Sequence, residues 1–214
     1  MPAPDTLITS PLPSISPSSL TFLKLTGLAI QTVFDELAAL RIAVFYDFPY
    51  LYEGSVEYEK TYLETYARAE RSFLFAVYDG DRMVGATTAL PLRDETAEVQ
   101  APFLKAGYDL DTIFYFGESI LLPAYRGLGL GHQFFSEREA HAQQFGHYKM
   151  TCFCAVKRPA DHPLRPADYQ PLDNFWTKRG YQRDESLQSE FVWPDRNETL
   201  DTAKPMIYWT RLLP

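Results

Sequence analysis

Apolar residues recur along this chain with two periods, and the switches between them outline its elements. Residues 20–25 form a short apolar run closed by Gly27, which predicts a first strand. Over residues 31–45, Val33, Phe34, Leu37, Leu40, Ile42, Val44 and Phe45 approximate helical spacing. Pro49 then breaks the pattern, because proline disfavours helix at the residue before it. A second helix is predicted to start after Ser55, a side chain suited to capping, with Tyr58, Tyr62, Leu63 and Tyr66 on one face. Residues 73–78 and 83–90 are apolar runs flanking Asp79-Gly80-Asp81, a hairpin signal. A short helix over 96–106, a strand over 113–122, a helix over 131–145 and a strand over 148–156 follow. Residues 157–171 are rich in turn formers; a short helix over 172–179 and closing strands over 190–193 and 206–212 complete the pattern. Strands mixed with helices, with an early hairpin, predict an α/β fold around a mixed sheet.

Composition narrows the class. Apolar residues make up 46% of the 214, and aromatics 15%, enough for a packed core and against wholesale disorder. Residues 1–19 are rich in Pro and Ser and lack a basic segment followed by an apolar one; they predict an arm rather than a secretory signal, leaving 20–214 as a single domain. No apolar stretch reaches the ~18 residues needed to span a bilayer. The net charge of −8 argues against a nucleic-acid partner, which calls for a basic face, and suits a cationic substrate better than an anionic one. Cys152 and Cys154 lie too close for a good disulfide, and no second pair completes a metal site, so a reduced cytoplasmic setting without metal is expected.

The chemistry concentrates after the 113–122 strand. Leu121-Leu122-Pro123-Ala124-Tyr125-Arg126-Gly127-Leu128-Gly129-Leu130-Gly131 runs from strand to helix. Three alternate glycines let the main chain approach a ligand and point successive N–H groups at it. The helix N-terminus adds unpaired N–H groups and a positive dipole end, a combination suited to a pyrophosphate. A Walker loop needs Gly-Lys-Ser/Thr, but His132-Gln133 follows Gly131. A dinucleotide turn needs a third glycine three after the second, where His132 or Phe134 stands.

What remains is Arg-x-x-Gly-x-Gly, through Arg126, Gly129 and Gly131, and here the chain resembles the GNAT family of N-acyltransferases. The proline three before the arginine, the flanking strand and helix, the strand ending near Val156 and the late helix ending in Lys-Arg-Gly180-Tyr181 resemble that family's core. The resemblance spans about residues 20–212. It implies a mostly antiparallel sheet flanked by helices, with the strands at 113–122 and 148–156 splayed where acyl-CoA enters. It also implies acetyl-CoA as co-substrate, its pyrophosphate held by Arg126, Gly127, Leu128, Gly129, Leu130 and Gly131. Ile120, Leu121 and Leu122 would pair with its pantetheine arm like an added strand.

An alkyl amine has a pKa of ~10.4, so only about one molecule in ~2,500 is neutral at pH 7, a barrier of ~4.6 kcal/mol unless a group removes the proton. Glu118, a carboxylate in an otherwise apolar strand, is the expected general base, with structural use of the carboxylate as the alternative. The family's usual acid, a Tyr four before the glycine of the late helix, is here Trp176. Tyr169 stands where the family has Asn and is the substitute candidate. Phe48, Tyr50 and Tyr52 fall where the family's first helices wall the acceptor site, and aromatic faces there suit a cation. His162 lies in the loop expected at the same mouth. The cysteines have no base in their vicinity and read as packing residues.

The expected activity is transfer of acetyl from acetyl-CoA to a primary amine of a small molecule or peptide, by direct attack with general-base help. A non-catalytic acyl-CoA sensor with the same fold, and transfer to a hydroxyl, are the other readings. A homodimer is compatible with all of them.

Overall fold

The hairpin folds where the two apolar runs around Asp79-Gly80-Asp81 put it, and a seven-stranded sheet grows on either side. The computed structural model describes residues 19–196 and 198–214, so the Pro/Ser-rich arm, but for Ser19, lies outside the described residues. Strand β1 (Leu20–Leu25) pairs antiparallel with β2 (Phe73–Asp79), which turns at Gly80 into β3 (Arg82–Pro91). Gly80 has φ +59°, a conformation in which glycine avoids a Cβ penalty. Helices α1 (Phe34–Phe45) and α2 (Val56–Arg68) lie between β1 and β2. Ser55 caps α2 by accepting the Tyr58 N–H at 3.3 Å. Helix α1 begins three residues later than its periodicity suggests. Gly27–Val33 form a tighter 3₁₀ turn, in which the Thr32 hydroxyl donates back to the Ala29 carbonyl at 2.7 Å and competes with helical bonding.

After β3 come α3 (Ala97–Lys105), β4 (Ile113–Leu121), α4 (Leu130–Gln143), β5 (Met150–Val156), α5 (Asp173–Lys178), β6 (Gln182–Trp193) and β7 (Thr202–Leu212). The sheet order is β1-β2-β3-β4-β5-β7-β6, and β4–β5 is its parallel pair. Both closing strands are longer than predicted. Strand β6 is an edge, and most of its first half is exposed on both faces, so no alternation marks it. Helices α1, α2 and α3 cover one face over Leu37, Leu63 and Phe103; α4 and α5 cover the other over Phe134, Phe135 and Phe175.

Two irregularities position the site. Pairing of β4 with β5 stops at Tyr115↔Cys152, so the strands part beyond that point. On its other side β4 carries a bulge: Thr87 faces Ser119 while Ala89 faces Phe116, leaving Gly117 and Glu118 opposite Thr88. Glycine is required at 117, because a Cβ there would collide with the hydroxyls of Tyr66 and Thr88.

Candidate active site

The turn after β4 is pinned at both ends. Leu122 N–H donates to the Val84 carbonyl at 3.0 Å, Pro123–Tyr125 form one 3₁₀ turn, and the Tyr125 hydroxyl donates to Asp79 at 2.7 Å. Gly127 and Gly129 then take φ of +81° and +82°. A Cβ on either would meet nothing within 4 Å, so it is backbone conformation and not crowding that asks for glycine there. The Gly129 carbonyl accepts from His132 N–H at 3.0 Å and starts α4. The N–H groups of Gly127, Leu128, Gly129, Leu130 and Gly131 donate to no partner among the described residues. Five successive free donors at the positive end of a 14-residue helix form an anion cradle. The exposed Arg126 folds back to donate to the Leu121 carbonyl at 3.3 Å. The donor set and the open space above the glycines fit a diphosphate.

Ile120 and Leu121 pair with Ala86 and Gly85 of β3, whereas their β5-facing edge lies in the opening between the strands. Leu122 lies just past the strand end. That edge leads from the cradle to the bulge, where Glu118 sits.

Glu118 is buried, with 6% of its surface exposed. Its Oε2 lies 2.6 Å from Arg41 Nη1, and the same guanidinium holds Glu59 through Nε. Two carboxylates thus share one buried cation, and Oε1 of each has no hydrogen-bond partner among the described residues. The Glu118 N–H donates to Thr88 Oγ1 at 3.3 Å, and its carbonyl accepts from Thr87 Oγ1 at 2.7 Å and from Arg138 Nη1 at 3.4 Å. Side chains from two elements, β3 and α4, therefore fix its peptide groups. Beside it, the hydroxyls of Tyr62 and Tyr66 lie 3.2 Å apart, and Tyr66 donates to Glu95 at 3.2 Å. Burial pushes the Glu95 carboxyl up to about 7, against the opposing pull of the Thr96 N–H and the Tyr66 hydroxyl.

A second group forms between the loop after α1 and the loop after β5. The Phe48 ring meets His162 at 5.6 Å and Tyr169 at 4.7 Å between centroids, and the Arg165 guanidinium lies 4.9 Å from the Tyr169 ring. Tyr50 packs on Phe45 at 4.6 Å and Trp193 at 6.2 Å. Its hydroxyl makes no hydrogen bond among the described residues and feels the charges of Arg41 and Glu118. Tyr52 is bridged to Asp195, lies next to Tyr58 and feels the carboxylate of Glu59, the second partner of Arg41. Arg158 ties this wall together: it donates to the Pro49 and Tyr50 carbonyls and to both oxygens of Asp195, each at 2.7 Å. Those bonds, and Arg196 N–H to the Leu51 carbonyl at 2.7 Å, hold Leu51 at φ +56°, a conformation costing of order 1–3 kcal/mol outside glycine.

His162 sits within this brace. Its Nδ1 accepts from Leu164 N–H at 3.2 Å and its Nε2 lies 3.9 Å from Asp195. Burial raises the Tyr169 hydroxyl's pKa, so it parts with its proton reluctantly. Trp176 packs edge-on against Phe153 and Trp209. Cys152 and Cys154 are buried, and burial pushes the Cys152 thiol well up and the Cys154 thiol to about 12, which leaves neither as a thiolate at neutral pH. The Tyr58–Tyr62–Tyr66 face is graded: Tyr66 is buried in the core whereas Tyr58 is 59% exposed.

Three participants were missed from the sequence. Arg41 interrupts the apolar run Leu37–Phe45 of α1, and Arg138 shares a helical face with Phe134 and Phe135; in both cases a charge on an apolar face was the available signal. Glu95 follows the long β3 run and had no such marker. Among the described residues no cluster of His, Cys, Asp or Glu is arranged to hold a metal, and no helix is long and apolar enough to cross a membrane.

Comparison with known proteins agrees with this geometry. The model of the acetyltransferase (GNAT) family matches residues 40–164. No curated protein matches the sequence. Among solved structures, NAA60 of Arabidopsis thaliana in complex with a bisubstrate analogue superposes with a TM-score of 0.58 at 9% identity, covering 91% of this chain and 100% of that one. The ribosomal-protein-alanine N-acetyltransferase of Brucella melitensis gives 0.57 at 12% identity, covering 90% and 99%. The yncA protein of Salmonella typhimurium, solved with its cofactor acetyl-CoA, gives 0.54 at 8% identity, covering 92% and 95%. At these identities the structural likeness establishes the fold.

Proposed function

This chain belongs to the acetyltransferase (GNAT) family and is an acyl-CoA-dependent acetyltransferase with acetyl-CoA as its donor; from that premise we propose that it passes the acetyl group to a primary amine of a small molecule or peptide. One domain, residues 20–214, carries the reaction. The observation supporting the site is the row of five unpartnered N–H groups from Gly127 to Gly131, opening onto the parted edge of β4. These amides, with Arg126, hold the diphosphate. The free edge of Ile120 and Leu121, continued by Leu122, receives the pantetheine arm as a strand.

The acceptor enters between the Phe48–Tyr50–Tyr52 wall and the His162–Tyr169 loop, where ring faces favour a cation, as the chain's net charge of −8 does at long range. Glu118 takes its proton at the unpartnered Oε1, through a bridging water, because the carboxylate itself is buried. Arg41 keeps that carboxylate in place. The neutral amine then attacks the thioester carbon. Tyr169, whose hydroxyl no described residue engages, is the donor assigned to the departing sulfur, and a thiol of pKa ~8.5 leaves readily enough for a reluctant donor to suffice.

Incubation with acetyl-CoA and a panel of amines, hydroxyl compounds and peptides, followed by release of free thiol, tests this reading. Amine-dependent turnover is expected; turnover only with hydroxyl acceptors, or with none, refutes it. Glu118→Gln should lower kcat with alkyl amines at least tenfold while acetyl-CoA affinity stays within about threefold. Equal activity would remove Glu118 from the mechanism.

A further inference from the structure

Among the described residues Arg138 is the largest fully buried side chain, and no carboxylate lies within ion-pair distance of it. Its neighbour Glu139 is within reach of its charge but is paired with Arg179 and Arg211. The guanidinium lies 4.2 Å from the Phe116 ring and 4.7 Å from that of Phe135. Its hydrogen bonds are to two carbonyls, Phe134 at 3.3 Å and Glu118 at 3.4 Å. Burial lowers its pKa to about 10, which still leaves it charged at neutral pH.

An unpaired buried cation is expensive, and an apolar chain of similar length would fill the space between two rings without that penalty. Its placement suggests a use. Phe116 is the first β4 residue beyond the last β4–β5 pair, and Glu118 is the bulge residue two further on. Arg138 therefore underlies the first open stretch of the cleft, on the sheet face opposite Arg41 and Glu118's carboxylate.

During transfer, the amine nitrogen bonds to the acyl carbon and the carbonyl oxygen gains negative charge. The C–S bond then breaks, its electron pair stays on sulfur until Tyr169 protonates it, and the second proton that the nitrogen sheds on forming the amide leaves to water, Glu118 already holding the first. Negative charge thus develops first on oxygen and then on sulfur, and a fixed cation in a dry site stabilises it without reorganising. Resting on the site assigned above, we propose that Arg138 is a positioning residue for the chemical step, holding the Glu118 peptide and supplying a fixed positive field to the anionic oxygen and sulfur in the cleft.

The test uses the full chain, with Arg138→Met and Arg138→Lys beside wild type. Arg138→Met should fold at least as stably as wild type and bind coenzyme A within about threefold. Its kcat should fall roughly ten- to a hundredfold, with KM for the amine little changed. The thiol of bound coenzyme A, followed by the ultraviolet absorbance of its thiolate, should titrate at higher pH in Arg138→Met than in wild type. Arg138→Lys should restore most of kcat and the wild-type titration, which a purely packing role does not predict. Unchanged kcat and thiol titration in Arg138→Met refute the proposal, and so does a lysine variant that behaves like the methionine one. Should the methionine variant fail to fold, Arg138→Gln is measured in its place with the same criteria. If coenzyme A does not bind the wild-type protein at all, the site assignment fails, and that outcome is distinct from the failure of Arg138's role.

Discussion

Gly129→Glu separates the ligand's contribution from the fold's. Gly129 sits at φ +82°, so any other residue pays a left-handed backbone cost of roughly 1–2 kcal/mol, a fall of about 2–8 °C in Tm for a chain of this size. No steric penalty adds to this, since a Cβ would meet nothing within 4 Å. The glutamate, however, brings a charge to the space facing five unpartnered amides. Against a diphosphate of about two charges at ~4 Å, repulsion is ~2 kcal/mol in solvent-like surroundings and ~8 kcal/mol at an effective dielectric of 20. The cradle is exposed, so the lower figure applies, and acetyl-CoA affinity should fall roughly thirtyfold or more. Gly129→Asn is the control, because asparagine tolerates the left-handed region and carries no charge. Calorimetric titration with acetyl-CoA and thermal melts of both variants supply the comparison. If Gly129→Glu binds as tightly as Gly129→Asn, the diphosphate does not lie on these amides.

Two further substitutions probe the polar layer beside the β4 bulge. The folded protein holds Glu95's proton up to about pH 7, against a reference value of 4.5, so between those values the folded state binds more protons than the unfolded one and stability declines as pH rises. The penalty is complete above pH 7 at about 3 kcal/mol. Glu95→Gln should therefore be more stable than wild type in urea at pH 8 and lose that advantage near pH 4.5; an advantage independent of pH would refute the assignment. Gly117→Ala should cost about 1–3 kcal/mol or more through collision with the Tyr66 and Thr88 hydroxyls. Adding Tyr66→Phe should recover part of that loss in a double-mutant cycle, and strict additivity would show that the hydroxyl is not what the new methyl meets.

Most elements with a buried face were legible in the sequence, and the exposed half of β6 was not. The β2–β3 hairpin, β4, β5 and α2 carry apolar stripes matched to their periods, and all form close to the predicted limits. The first half of β6 lies at an edge with polar side chains on both faces, so only its last residues carried a signal. The cradle was legible for a different reason: left-handed main chain needs glycine at Gly127 and Gly129, and the need is written into the residue type. The carboxylate at 118 could be picked out as a charge in an apolar strand. Its partners could not, because Arg41 and Glu59 come from two helices packed against it and spacing along the chain does not report contact across a core. The bulge that turns Glu118 is likewise a matter of register between β3 and β4.

Among the described residues three ladder pairs join β4 to β5, with one side-chain bond, Tyr115 to Cys154, beside them. The sheet is in effect two panels, β1 to β4 and β5 to β6, sharing a short seam at one end and held elsewhere by the helices that lie across both. A donor lying along the exposed margin of β4 would supply the missing rungs and lengthen that seam. The co-substrate would then act as a removable piece of the scaffold, and the resistance of the two panels to opening would rise with its concentration by simple mass action.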